Sequence, residues 1–248
     1  MARRLLDVTL AALGLALTAP LLAVAAVGIV LSSPGPIIYR ATRLGRGGRR
    51  FIMFKLRTMR AAPPAPGERA SAITAWDDPR VFPLGGWLRR TKLDELPQLV
   101  NVLRGDMAIV GPRPEDPKFV AGPYATLYRE TLRVRPGLAS PGSLFSSTHG
   151  ETWLSSTDAE RDYVEKLLPL KLALDAGYVR RASLRYDLTI MLRTLRVLAA
   201  RALGRTAFAE PPELADAERL LAGLSPAPQP ASRSAPVTPS VPLARGSA

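Results

Sequence analysis

The stretch Val8–Leu31 contains no charged side chain, and Pro20 falls near its middle. As a straight helix its roughly 24 residues would extend about 36 Å, enough to cross the ~30 Å hydrocarbon core of a bilayer. Proline breaks the backbone hydrogen-bond ladder, so the run divides into halves of about 12 residues and about 18 Å, each roughly one leaflet deep. Arg3 and Arg4 precede the run, while Arg40, Arg43, Arg46, Arg49 and Arg50 follow it. Basic residues favour the cytoplasmic side, so a re-entrant hairpin satisfies both flanks and a spanning helix only one. A cleaved signal peptide is a third arrangement, but the apolar run continues well past any small-residue site before Pro20. The hairpin, over residues 1–32, is the expected arrangement.

A second stretch, residues 92–114 (KLDELPQLVNVLRGDMAIVGPRP), carries the candidate chemistry. Thr91, three residues before Asp94, gives a helix-start signature, and Pro97 suits a first helical turn, where its missing N–H costs nothing. Leu93, Leu96, Leu99, Val100 and Leu103 recur at helical spacing and predict one buried face. Asp94 and Glu95 would then lie at the positive end of a helix dipole, which favours ionised carboxylates and attracts phosphate. Such a pair can supply a nucleophile, a base or a magnesium ligand. The plainer reading of the same residues is an acidic pair that only caps the helix.

Composition narrows the partners. The 248 residues carry a net charge of +13 with a pI near 10.9, which calls for a polyanion: nucleic acid, anionic lipid or a phosphorylated substrate. Nucleic acid fits poorly, given the uncharged run and the lack of interleaved basic and aromatic residues. With no cysteine and His149 the sole histidine, zinc–thiolate centres and cysteine nucleophiles are excluded. Any metal should be hard and oxygen-bound, with magnesium the natural candidate.

Elsewhere, Ile37–Arg40 and Arg50–Arg57, separated by Gly45, Gly47 and Gly48, read as a β-hairpin, and residues 61–71 as a surface loop. Leu84–Arg90, Leu96–Leu103 and Tyr124–Arg133 read as helices, Met107–Val110 as a short strand, and Arg135-Pro136-Gly137 as a turn. Asp158–Leu203 reads as mostly helical, interrupted at Pro169 and around Ser183. Its last helix aligns Leu184, Leu188, Met191, Leu195, Leu198 and Ala202 on one stripe, with Arg185, Arg193, Arg196 and Arg201 mainly elsewhere. That is the pattern of an interfacial membrane helix or of a core helix with a basic outer face. Residues 206–248 are rich in Pro, Ala and Ser and are expected to form a disordered tail.

Six ordered motifs then carry a resemblance. They are Ser33-Pro34-Gly35-Pro36-Ile37-Ile38-Tyr39-Arg40, Arg43-Leu44-Gly45, Phe54-Lys55-Leu56-Arg57-Thr58-Met59, Leu93-Asp94-Glu95-Leu96-Pro97-Gln98, Asn101-Val102-Leu103-Arg104-Gly105-Asp106-Met107 and Val110-Gly111-Pro112-Arg113-Pro114. Together, from Arg3 to about Leu203, the chain resembles the bacterial sugar transferase family of monotopic phosphoglycosyl transferases. The resemblance implies an α+β, mainly helical enzyme: the re-entrant hairpin over 1–32, a catalytic domain with a β-hairpin over 33–205, then the tail. It implies transfer of a sugar 1-phosphate from a nucleotide sugar, UDP by preference, to polyprenyl phosphate at the cytoplasmic face of a bacterial inner membrane. Asp94 would be the nucleophile and Glu95 a magnesium ligand. Arg113 is the first candidate for gripping phosphate, since a guanidinium binds it bidentately, with Arg89, Lys55 and Arg57 behind it. Pairing of Arg113 with Glu115 or Asp116 is its structural alternative. Partners would be the nucleotide sugar, polyprenyl phosphate and membrane lipid, with homo-oligomerisation open and no nucleic acid. A non-catalytic membrane scaffold of the same fold is the rival, and the intact Asp94–Glu95 pair argues against it. A larger relative with spanning helices ahead of this core is not expected, because the motifs start at the first residues. The chain departs from the family pattern over residues 138–151, at Ala41 and at Lys92, which places sugar and nucleotide recognition in question.

Overall fold

The computed structural model describes residues 1–60, 78–121, 124–154 and 159–224. The loop expected at 61–71, the expected helix start at Asp158 and the tail beyond residue 224 lie outside the described residues. Among the described residues the chain is mainly helical with two small sheets.

Helix α1, Ala2–Ser32, is a single helical run that continues through Pro20. At 1.5 Å per residue it is about 46 Å long. Its buried residues are Ala11, Ala25 and Ile29. Gly14 and Gly28 also face the rest of the protein, since an added Cβ would come within 3.1 Å of Leu99 and 2.6 Å of Leu84. Leu13, Leu17, Val24 and Val27 are exposed, Leu17 at 79%. Small residues inward and large apolar ones outward invert the pattern of a helix on a water-facing core, and suit a helix whose outer face meets lipid.

Strands β1 (Ile38–Leu44) and β2 (Arg50–Leu56) form the expected hairpin, antiparallel with Ile38 opposite Leu56 and Leu44 opposite Arg50. The turn places Gly47 and Gly48 at φ +68° and +77°, where glycine alone is unstrained. Helices α2 (Pro83–Arg90) and α3 (Gln98–Arg104) follow. Asn101 of α3 completes the free edge of β2, accepting from Phe54 N at 3.1 Å and donating to Ile52 O at 2.7 Å. The buried face of α3 is Gln98, Leu99, Asn101 and Val102; of the predicted row Leu99 is buried, Leu93 and Leu96 pack against the core in part, and Leu103 is exposed. The phase differs because Leu93–Glu95 forms a separate 3₁₀ turn before the helix begins.

Strand β3 (Ala108–Val110) pairs in parallel with β4 (Gly137–Ala139), across a connection that includes α4 (Ala125–Thr131). The segment predicted as a turn at 135–137 therefore leads into a strand. Helix α5 (Pro141–Thr148) begins at a capped end, Ser140 Oγ accepting from Ser143 N at 2.9 Å. The short α6 (Ala159–Asp162) passes through a π turn, Tyr163–Leu167, into α7 (Leu168–Arg181). The largest core forms around α7, where Leu168, Leu172 and Leu174 pack with Leu127, Tyr128, Phe145 and Tyr163.

Helix α8 (Leu184–Ala202) starts at the predicted interruption, with Ser183 as its cap. It buries Asp187 and Ile190 and exposes Leu184, Leu188, Leu192 and Leu195, the last at 63%. The apolar stripe therefore does not face the core.

The expected disordered tail is corrected over its first part. Helix α9 (Leu214–Ala222) buries Ala217 and packs Leu214, Leu220 and Leu221 against the α7 core. Glu213 anchors it to α8, accepting from Arg193 Nη1 at 2.6 Å and Tyr186 OH at 2.9 Å. Prolines 211 and 212 mark a helix start here rather than an unstructured segment. Truncation after residue 224 should leave the melting temperature unchanged. Truncation after residue 210 should cost about 3–6 kcal/mol, the worth of burying roughly two leucine side chains. Thermal melts of the two truncated proteins check this, and equal melting temperatures would show that α9 contributes nothing.

Candidate active site

Lys92 is the one non-glycine residue at positive φ among the described residues, at φ 59°. Its left-handed backbone ends α2 and reverses the chain into the Leu93–Glu95 turn. Thr91 accordingly serves the end of α2, its hydroxyl donating to Trp87 O at 2.9 Å, and does not cap the next helix as predicted. Pro97 stands at the cap position of α3, as its chemistry requires. Asp94 and Glu95 thus sit one turn ahead of α3, held by a strained backbone of the kind found at functional sites.

Around this turn three chain segments meet. Arg113, just after β3, clamps Glu95 with both terminal nitrogens, Nη1 to Oε2 at 2.9 Å and Nη2 to Oε1. Lys55 of β2 donates to Glu95 Oε1 at 3.2 Å. Burial pushes Glu95 upward, but Arg113 and Lys55 more than reverse this and hold its carboxyl well below the usual range. Burial also works against the charge on Arg113, and Glu95 overcomes it, so that guanidinium is held the more firmly protonated. Burial pushes the Lys55 ammonium downward against the pull of Glu95.

Asp94 behaves differently. It is buried, and its Oδ1 has no hydrogen-bond partner. Burial and the neighbouring Glu95 charge raise its pKa, with Lys55, Lys92 and Arg89 offsetting part of the shift. A desolvated carboxylate with an uncommitted oxygen is a better nucleophile than a hydrated one. Gln98, which the sequence reading passed over, lies one helical turn on; it is fully buried and both its amide atoms lack partners. Orphaned buried groups cost about 1–3 kcal/mol each.

Of the predicted residues, Asp94, Glu95, Lys55 and Arg113 come together. Arg89 contributes charge toward Asp94, and its guanidinium makes no hydrogen bond among the described residues. Arg57 is placed elsewhere. Its buried guanidinium donates to Ser33 O at 2.6 Å, Pro34 O at 2.7 Å and Ser33 Oγ at 2.9 Å, tying down the end of α1. The structural alternative for Arg113 does not occur: Glu115 pairs with Lys171, and Asp116 with Arg43 at 3.1 Å.

The Gly-Pro-Arg-Pro turn is supported from α7 by residues no motif announced. Asp175 accepts from Arg113 N at 3.2 Å and Gly142 N at 2.9 Å, and burial pushes its pKa up to about 6. Lys171, Glu115 and Tyr163 form a buried network in which Tyr163 OH donates to Glu115 Oε2 at 2.8 Å and Lys171 Nζ to Tyr163 OH at 3.0 Å. The altered stretch 138–151 is in large part α5, docked on α7 through Gly142, where a Cβ would meet Lys171 O at 2.6 Å.

Magnesium usually takes one or two carboxylates, with waters and substrate phosphates completing its shell. Asp94 Oδ1 is uncommitted, and three of the roughly four lone-pair positions on Glu95 are occupied, which leaves one on Oε2. The donor set fits such a shared site.

A carboxylate pair among Lys55, Arg89 and Arg113 thus lies in a fold whose first helix turns its large apolar side chains outward. The chain belongs to the bacterial sugar transferase family, whose sequence profile matches residues 1–201. It is 40% identical over 195 residues to the UDP-glucose:undecaprenyl-phosphate glucose-1-phosphate transferase of Caulobacter vibrioides, covering 78% of this chain and 68% of the relative. With the Escherichia coli protein of the same description it shares 34% over 200 residues, 78% of this chain and 39% of the relative. With the exopolysaccharide production protein ExoY of Rhizobium meliloti it shares 34% over 209 residues, 79% of this chain and 84% of the relative. The chain spans less than half the length of several relatives it matches.

Proposed function

We propose that this chain transfers a sugar 1-phosphate from a UDP-sugar to a polyprenyl phosphate, through a phosphosugar carried on Asp94. The observation that supports it best is the contrast within the carboxylate pair: Glu95 is clamped by Arg113 and Lys55, while Asp94 is buried with Oδ1 uncommitted. The Asp94 carboxylate attacks the β-phosphorus of the nucleotide sugar, and the bond to the bridging oxygen breaks, releasing UMP with the electron pair. A phosphate oxygen of the polyprenyl carrier then attacks the same phosphorus, and the Asp94 carboxylate leaves, giving the polyprenyl diphosphate sugar. Lys55, Arg89 and Arg113 stand where they would offset diphosphate charge. Magnesium held by Glu95 and substrate phosphates would supply further neutralisation of that charge. Names of the relatives, which act in UDP-sugar and undecaprenyl-phosphate chemistry and in exopolysaccharide production, support the substrate classes. The test is UMP release by purified, detergent-solubilised protein offered single UDP-sugars with magnesium and polyprenyl phosphate. Release with one sugar, dependent on magnesium, is expected; no release from any UDP-sugar would contradict the reading.

The same reading places both ends of α1 on the cytoplasmic face. At one end Arg4 donates to Val102 O at 2.6 Å and Asp7 accepts from Ile109 N at 2.9 Å; at the other, Arg57 holds the Ser33–Gly35 carbonyls. A helix docked along its length to one polar body cannot cross a bilayer without carrying that body into the lipid. Single cysteines placed at Ala2 and Ser32 of this cysteine-free chain should both resist an impermeant thiol reagent applied outside intact cells. Labelling of either position would overturn this topology.

A further inference from the structure

A cavity that none of the residues of the Asp94 turn lines lies between the first turns of α1 and the side of α8. It encloses about 230 Å³ and is lined by Arg3, Arg4, Arg46, Arg133 and Arg135, with Asp7 and Asp187 as its acids. Its acids are already engaged. Asp187 accepts from Arg3 Nε at 2.9 Å and Tyr178 OH at 2.7 Å, and Asp7 from Ile109 N at 2.9 Å. The guanidinium groups of Arg46, Arg133 and Arg135 make no hydrogen bond or ion pair among the described residues, and Arg3 Nη2 is buried without a partner. These arginines come from separate segments that the fold locks together, Gly47 N donating to Leu132 O at 2.8 Å to hold the hairpin turn against the end of α4.

Uncommitted arginines converging on one concavity repel one another unless an anion joins them, and guanidinium groups match phosphate in shape and charge. The volume is below the ~300–1,000 Å³ typical of drug-sized ligands, so a whole nucleotide sugar is too large and a phosphate with a small alcohol fits. Leu5 at the α1 side and Leu188 and Leu192 on α8 are exposed, and Met191 lines the cavity itself. The arginines therefore open beside two outward-facing apolar surfaces, where a lipid headgroup would lie.

We propose that this cavity is a binding site for a phosphate-bearing anion, distinct from the catalytic cluster. Two sources share that chemistry, the headgroup of an anionic glycerophospholipid and free phosphate. The test uses the full chain in a neutral detergent, with the thermal shift and native mass spectrometry read against three probes: dihexanoyl phosphatidylglycerol below its micellar concentration, dihexanoyl phosphatidylcholine, and inorganic phosphate. Saturable one-site binding is expected, weakened at least about tenfold in Arg46→Ser/Arg133→Ser and unchanged in Arg49→Ser, which lies outside the cavity. Preference for the phosphatidylglycerol over inorganic phosphate assigns the lipid source; equal or better binding of inorganic phosphate assigns the free anion. The double variant replaces two exposed side chains whose guanidinium groups make no hydrogen bond or ion pair among the described residues, so its melting temperature without ligand should stay close to the parent's. Binding of neither anion, or binding undiminished in the double variant, would overturn the proposal, as would equal response to the phosphatidylcholine.

Discussion

Asp94→Asn is expected to lower transfer by roughly a thousandfold or more while leaving the protein folded. Asparagine keeps the shape of the side chain but cannot form the acyl phosphate. Stability should move the other way. Burial raises the pKa of Asp94 in the folded protein, so its contribution is present while it is protonated and is lost as pH rises through the folded value. At neutral pH the wild type therefore carries a destabilising buried charge that the asparagine variant lacks. Melting temperatures should favour Asp94→Asn, by a margin that grows from acid to neutral pH. The wild-type rate should fall on acidification at a pH above the ordinary aspartate range, because only the ionised carboxylate attacks. A variant with near-normal turnover would refute the assignment.

Lys171→Met is expected to be the most destabilising single change in the supports of the site, at about 3–5 kcal/mol. Lys171 and Glu115 are both buried, and removing the ammonium leaves the carboxylate with Tyr163 OH as its remaining side-chain donor. In the wild type, burial pushes Glu115 upward and Lys171 and Tyr163 overcome this, so its pKa is lowered. That stabilisation is present above the unfolded carboxylate value and is lost as pH falls through the lower folded one. In Lys171→Met the sign reverses: the unpaired carboxyl is raised, so the defect should be worst at neutral pH and relieved by acid. Lys171→Met/Glu115→Gln should recover most of the loss, since no charge is then left buried alone. Denaturation across pH in detergent reads both effects, and an additive double variant would contradict the network.

The chemistry of the site was more legible in the sequence than its scaffolding. The Asp94–Glu95 pair, Lys55 and Arg113 stand in local motifs, and the structure brings them together. Arg57 has the same local character, yet it binds the Ser33–Gly35 carbonyls, because a buried helix end needs donors and nothing in residue 57 announces that long-range demand. Lys171 and Asp175 are charged residues on the otherwise largely apolar α7 and Glu115 lies in the segment after β3; a charged residue is expected to be exposed, and only tertiary pairing explains their burial. Helix α5 had a local signal, Ser140-Pro141 as a cap followed by a first-position proline, in the stretch that departs from the family pattern. Helix α9 was masked by the surrounding prolines, whose composition averages over a nine-residue amphipathic segment.

The central claim is that Asp94 itself carries the phosphosugar. Intact-protein and peptide mass spectrometry of the purified chain, incubated with magnesium and the UDP-sugar that supports UMP release but with no polyprenyl phosphate, tests it most directly. A mass increase equal to one sugar phosphate is expected, mapping to the peptide that holds Asp94, absent from Asp94→Asn and discharged on adding polyprenyl phosphate. UMP formation that requires the lipid in every turnover, with no adduct on the wild-type chain, would instead mean direct transfer between the two substrates.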